Sequence, residues 1–190
     1  PALGVEPAAN VAAVARCQGI PTLVEYLGAD TGEAIARRHG RADLVVANNV
    51  FAHVPDIRGF AHGLRSLVKD DGLVTLEFPH LLRLIERRQY DTIYHEHYSY
   101  LSLHAAERIF ASHGMRVFDV ERLPTHGGSL RLYVCNAAAR HTDCPGVSQV
   151  RALERAAGLD KPGGDAGFAP RAEAVRTALI AFLRQARADG

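Results

Sequence analysis

The chain has no tryptophan, a single methionine and only three cysteines in 190 residues, and each shortage excludes something. Cys17, Cys135 and Cys144 are an odd number with no CxxC pair, which argues against a disulfide framework or a cysteine zinc site and fits a reducing, cytoplasmic setting. Neither sign of charge is in excess. The 22 Lys and Arg residues stand against 21 Asp and Glu, and no basic run is long enough to track nucleic acid or an anionic membrane. No apolar run approaches the roughly 18 residues of a spanning helix, and no signal peptide is visible. What remains, 47% hydrophobic and 23% charged residues, is the composition of one soluble globular domain with a sizeable core.

Short apolar runs alternate with helix-like segments, the order expected of a parallel sheet with helices on its faces. "ALGVEP" reads as a buried strand ending at Glu6, followed by a helix that closes at Gly19. "TLVEYLG" reads as a second strand, and "TGEAIARRHG" as a short helix with a Thr cap and a stop at Gly40. "ADLVVANNVF" is the strongest strand signal. Phe60, Leu64, Leu67 and Val68 then recur at helical spacing over residues 57–68, and "DDGLVTLEFP" supplies a turn and a strand. Further helices are expected over Leu81–Arg88 and His104–His113. "RVFDVERLP" and "SLRLYVCN", separated by "THGG", suit an antiparallel finish. Residues 138–170, including "KPGGDAGFAP", read as a linker with a short helix. Arg171–Arg187 reads as a docking helix with Val175, Leu179, Phe182 and Leu183 on one face.

In open parallel sheets, ligands sit at the carboxyl ends of the strands, so the residues there carry the functional reading. Glu6 ends the first strand, where its carboxylate suits either a ribose diol or the N-terminus of the next helix. Asn48, Asn49 and His53 leave the central strand. Asn48 suits loop backbone or a ligand, while Asn49 and His53 suit a pocket. The stretch "YDTIYHEHYSYLSL", residues 90–103, holds four tyrosines together with His95, Glu96 and His97. Histidine can act as a base at neutral pH, and a neighbouring carboxylate can orient it. An extended segment would group Tyr94 with Glu96 and His95 with His97, and a helical one would group them otherwise. A metal-binding HxH pair and a plain surface loop are the competing readings. "THGGSLRLYV" reads first as a hairpin, in which His126 and Arg131 could face an anionic substrate.

Taken together, "GVEPAANVAAVARCQGIPT", "NNVFAHVPD", "YDTIYHEHYSYLSL" and "HGGSLRLYV" resemble the S-adenosylmethionine-dependent sugar C-methyltransferases over nearly the whole chain. The resemblance implies an α/β, class I methyltransferase-like doubly wound sheet, mostly parallel with an antiparallel last strand. It implies methyl transfer to a carbon beside the ketone of a deoxy keto sugar carried on a nucleoside diphosphate, commonly thymidine diphosphate. His97 falls in the place of the general base, Tyr94 and Glu96 in the active-site cluster, and Asn49 and His53 on the lining of the same pocket. Tyr94 or His53 would hold the enolate charge. Glu6 falls on the acid that binds the cofactor's ribose, with Asn48 beside the cofactor and His126 and Arg131 on the substrate side. No metal takes part in the chemistry.

Relatives of this kind also carry an N-terminal zinc-binding domain, a first strand with a glycine-rich loop, and a second α/β domain after the docking helix. None of these is present in the 190 residues. An internal fragment is therefore expected: a partial methyltransferase domain over residues 1–137, the linker over 138–170, and residues 171–190 leading to a further domain. The readings that compete with C-methylation are an O- or N-methyltransferase acting on another small acceptor and a noncatalytic interaction domain of the same fold.

Overall fold

The structure, a computed structural model, describes residues 2–164 and 167–190. Pro1, Asp165 and Ala166 lie outside the described residues, and with the last two goes the middle of "KPGGDAGFAP". The apolar runs from residue 42 onward form a four-stranded sheet in the order β3-β4-β6-β5: β3 (Ala42–Asn48), β4 (Val68–Pro79), β5 (Met115–Leu123) and β6 (Ser129–Asn136). β3 pairs parallel to β4, while β6 runs antiparallel to both β4 and β5. The antiparallel finish expected from "THGG" is therefore present. β6 sits between the two strands it pairs with, and six of its eight residues are buried.

α3 (Ile57–Leu67) and α5 (Leu103–Ala111) cover one face of this sheet. Asp56 caps α3 by accepting from the Gly59 N–H at 2.9 Å, and Phe60, Ala61, Leu64 and Leu67 at helical spacing are buried. At the centre, Phe51 stacks on Phe110 with ring centroids 5.3 Å apart and meets Phe60 and Phe78 at 6.0 Å each. Burying each such ring stabilises the fold by about 1.5–3 kcal/mol.

The part of the chain before β3 is built differently. The two runs expected as full strands pair over only two residues each, β1 (Gly4–Val5) with β2 (Thr22–Leu23), in a separate parallel sheet. Residues 24–28 of "TLVEYLG" are not strand, because their backbone has no ladder partner among the described residues. α1 (Ala9–Cys17) follows β1. α2 (Ala29–His39) starts three residues earlier than expected, since its N-cap is Gly28 rather than Thr31, and Thr31 reaches back to accept the Gly28 N–H at 2.7 Å. α2 joins the two parts by packing on α3. A Cβ built on Gly32 would stand 2.5 Å from the Gly63 Cα, so only glycine allows the two helices to approach this closely. β3 is left as an outer strand whose Leu44 and Val46 are 52% and 59% exposed.

The stretch expected as a linker contains α6 (Pro145–Ala156), a full packed helix. Val147 and Val150 enter the core, which is why its sequence tolerates an N-terminal Pro-Gly. α7 (Phe168–Asp189) begins three residues before the expected start and leaves Leu179, Phe182 and Leu183 uncovered. Among the described residues no helix is long and apolar enough to cross a membrane.

Candidate active site

The carboxyl ends of β3 and β4 point to one edge of the sheet, and the segment after α4 (Leu81–Arg87) folds over it. β3 ends at Asn48, and Asn49 takes a left-handed backbone, φ 53°, with its N–H donating to the Glu77 carbonyl at 2.7 Å. A left-handed non-glycine residue costs of order 1 kcal/mol or more and collects where a chain must turn sharply at a site. The chain then makes a single 3-10 turn, Phe51–His53, which buries Phe51 and leaves His53 half-buried at the surface.

The tyrosine-rich segment is stitched to that turn, for the N–H groups of Tyr98 and Ser99 both donate to the Ala52 carbonyl, at 3.0 and 3.2 Å. Its centre is neither strand nor helix. The His97 N–H donates to the Tyr94 carbonyl at 3.1 Å, closing a turn that places Tyr94 beside His97 with ring centroids 4.4 Å apart. The grouping that the sequence left open is thus Tyr94 with His97. His53 completes a trio, its ring 4.7 Å from that of His97.

Both histidines are oriented by backbone carbonyls. His97 Nδ1 lies 2.7 Å from the Thr92 carbonyl and His53 Nδ1 lies 3.0 Å from the Glu96 carbonyl. A carbonyl can only accept, so each Nδ1 carries a proton, and in the neutral tautomer this fixes, the lone pair is on Nε2. His97 Nε2 is 3.4 Å from the Tyr94 hydroxyl. The orienting group expected for His97 was the neighbouring carboxylate; the structure uses Thr92 instead, and the Glu96 side chain is exposed with no hydrogen bond among the described residues. His95 is exposed, its ring 6.3 Å from that of Tyr94, outside the trio.

Behind the cluster lies a network that a reading of the exposed residues missed. Glu77, buried at the end of β4, accepts from Thr125 Oγ1 and from Arg131 Nη2, each at 2.9 Å. The Glu77 hydrogen bond raises the Arg131 pKa above its already high ordinary value, and Glu121 approaches the same guanidinium at 3.5 Å. Arg131 is therefore committed to two carboxylates. His126 is exposed beside it in a strained turn, φ 51°, between β5 and β6. The sequence signal for Glu77 was a lone acid inside an apolar strand, a residue type rarely buried without a partner.

Glu6 belongs to the small sheet. Its Oε1 accepts the N–H of Ala8, the N-cap residue of α1, at 2.8 Å, a local bond before the helix rather than a cap on one of the helix's own free N–H groups. Its Oε2 and the exposed Asn48 side chain make no hydrogen bond among the described residues. This unspent acceptor, at the carboxyl end of a strand, fits a ribose hydroxyl. Among the described residues no group of three or more His, Cys, Asp and Glu side chains is gathered as for a metal ion.

Solved structures that share this fold include S-adenosylmethionine-dependent methyltransferases. They include the magnesium protoporphyrin IX methyltransferase of Synechocystis PCC 6803 with bound SAH, which matches with a TM-score of 0.52 at 14% identity over 70% of this chain and 63% of that one. A SAM-dependent methyltransferase of Thermotoga maritima, a possible histamine N-methyltransferase, matches with a TM-score of 0.51 at 16% identity over 69% and 72%. These likenesses show the fold. Residues 2–120 match the family described as "Methyltransferase domain" and residues 124–190 the "C-methyltransferase C-terminal domain". The chain belongs to the S-adenosylmethionine-dependent C-methyltransferase family. It is 42% identical over 188 residues to the C-methyltransferase NovU of Streptomyces niveus, an alignment that takes in 99% of this chain and 45% of NovU. The chain thus spans slightly less than half the length of that curated relative.

Proposed function

We propose that the protein of which these residues form part is an S-adenosylmethionine-dependent C-methyltransferase that methylates the carbon beside the ketone of a nucleoside-diphosphate-linked deoxy keto sugar. The observation that carries this reading is the tautomer of His97, whose Nδ1–H is spent on the Thr92 carbonyl and whose Nε2 keeps its lone pair as an acceptor beside the Tyr94 hydroxyl. A carbon acceptor, unlike most oxygen and nitrogen acceptors, must lose a C–H proton before it can attack, and an unprotonated imidazole nitrogen is the group for that step.

His97 Nε2 takes the proton from the carbon, and the electron pair moves onto the ketone oxygen as an enolate. The Tyr94 hydroxyl donates to His97 Nε2 at 3.4 Å in the resting site, and once that nitrogen takes the proton the hydroxyl is released to donate to the enolate oxygen. Neutral His53 cannot donate from Nε2, because its one proton is on the Nδ1 that faces Glu96. Its role is to wall the site and accept a substrate hydroxyl. Glu96, with an unspent carboxylate in the same turn, offers a second acceptor for the sugar, and Asn49 and His126 face the same edge. Arg131 serves the site by holding Glu77 and the end of β4 in place. Glu6 and Asn48 would hold S-adenosylmethionine, which when bound supplies an electrophilic sulfonium methyl group. The domain division that goes with this reading is a methyltransferase unit through residue 137, with the helices beyond it leading toward further chain.

The test is to incubate the full-length protein with methyl-labelled S-adenosylmethionine and a panel of thymidine-diphosphate-linked keto sugars and to locate the label by NMR. Label on carbon is expected. Label on oxygen or nitrogen would replace this reading with another small-molecule methyltransferase, and no transfer to any acceptor would leave an interaction domain of the same fold.

A further inference from the structure

Two buried ionisable side chains stand outside the cluster and have no part in the chemistry above. His80, the residue before α4, and Glu154, on α6, are each 1% exposed and bonded to each other, His80 Nε2 to Glu154 Oε1, at 2.8 Å. The same Oε1 accepts the Leu103 N–H at 2.6 Å, and Oε2 accepts the His104 N–H at 2.9 Å. Leu103 and His104 open α5, where helix N–H groups lack an intrahelical acceptor and the macrodipole favours a carboxylate. Ser102 Oγ takes the next one, from Ala105, at 3.1 Å.

His80 also ties down the other end of the same segment. It forms a β-bridge with Leu101, the Leu81 N–H donates to the Leu101 carbonyl at 3.0 Å, and the His80 N–H donates to the Gly128 carbonyl at 3.0 Å. Residues 80 and 101–104 therefore meet, and the segment between them, α4 followed by the tyrosine-rich loop, is closed at its base. That loop carries Tyr94, Glu96 and His97. A helix cap needs only the two backbone bonds; the third, from a side chain at the opposite end of the loop, joins the two ends through one carboxylate. We infer that Glu154 is a positioning residue, which with His80 clasps the base of the 81–101 loop and so fixes the orientation of His97. The clasp is also where α6, within the C-methyltransferase C-terminal match, grips a loop belonging to the methyltransferase-domain match.

In the reaction readout this inference rests on the function proposed above, so the test carries two readouts that do not. Glu154→Gln in the full-length protein keeps the shape but turns an amide N–H₂ toward a backbone donor. Tryptic cleavage at the exposed Arg87–Arg88 pair inside the loop is expected to accelerate tenfold or more, with cleavage elsewhere unchanged. With ¹⁵N-labelled histidine, the His97 signals are expected to move from the fixed Nδ1–H pattern toward tautomer-averaged values. Methyl transfer to the keto sugar panel is expected to lose about 10–100-fold in kcat, while the Kd for S-adenosylmethionine stays within twofold. His80→Gln, which keeps a donor toward Glu154, is expected to give the same changes in milder form, and it carries the test if Glu154→Gln does not fold. A wild-type tryptic pattern and wild-type His97 signals in a folded variant would overturn the clasp and reduce Glu154 to a core residue. Altered loop readouts in a protein that methylates no keto sugar even as wild type would uphold the clasp and refute the proposed reaction.

Discussion

The two sheets of this protein are made from similar apolar runs and end in opposite conditions. In the four-stranded sheet, Leu76, Phe78, Leu130, Leu132 and Val134 are fully buried and every inner strand has two hydrogen-bonded neighbours. In the small sheet two strands pair over two residues each, and Leu3, Val11, Val14, Ile20 and Val24 around it are exposed. The difference is one of pairing rather than hydrophobicity. A strand's apolar side chains are covered only when its ladder is complete enough to hold a layer in place. The candidate chemistry follows the same division, with the histidines and Tyr94 on the large sheet's edge and Glu6 on the small one.

The sharpest way to break this comparison is to remove matched side chains from each half. Phe51→Ala deletes a ring packed against three others and is expected to destabilise by about 3–5 kcal/mol, whereas Val14→Ala on α1 should cost about 0.5 kcal/mol or less. Chemical denaturation of both variants decides it. Equal costs would mean that the small half is as tightly packed as the large one.

Next come the two functional residues. His97→Asn is expected to lower kcat in the full-length protein by about 10²-fold or more, with the affinity for S-adenosylmethionine within a few-fold of wild type. Glu6→Ala should do the reverse, weakening cofactor binding by about tenfold through the loss of charge-assisted bonds to a ribose and leaving bound-state turnover nearly intact. Titration calorimetry beside single-turnover kinetics separates the two. An unchanged cofactor Kd in Glu6→Ala would confine Glu6 to its bond with the Ala8 N–H.

The split between halves also marks what could be read from the sequence. β3, β4, β6, α3 and α5 were legible because their periodicity matches a face that is in fact buried. β1 and β2 were overextended because apolar content reports a wish for burial, and nothing in residues 22–28 says whether a ladder partner lies alongside. The helix expected within residues 138–170 was read as a short piece of linker because of the flanking Gly and Pro, although Val147, Val150 and Glu154 at i, i+3 and i+7 already placed an acid on the buried face of α6. At the site, Tyr94, His97 and His53 were legible as chemistry-bearing residues. Their arrangement was not, since it depends on the turn closed by the Tyr94 carbonyl and on Thr92, whose contribution is a backbone oxygen that no side-chain pattern reveals.

The smallest expected effect on stability tests the outer strand that faces the gap between the sheets. Leu44 and Val46, two apart on β3, present one apolar face that is more than half exposed, beside a ladder edge with no partner among the described residues. An uncovered edge of this kind recruits other strands, so the 190-residue chain alone is expected to self-associate in sedimentation velocity. Leu44→Lys with Val46→Lys places two charges on that edge. The double variant should change the denaturation midpoint by no more than about 0.5 kcal/mol equivalent and shift the chain toward monomer. Lysines that instead cost about 2 kcal/mol or more would mean that this face is covered in solution, and the contrast between the paired and unpaired halves would then lie in the strand ends alone.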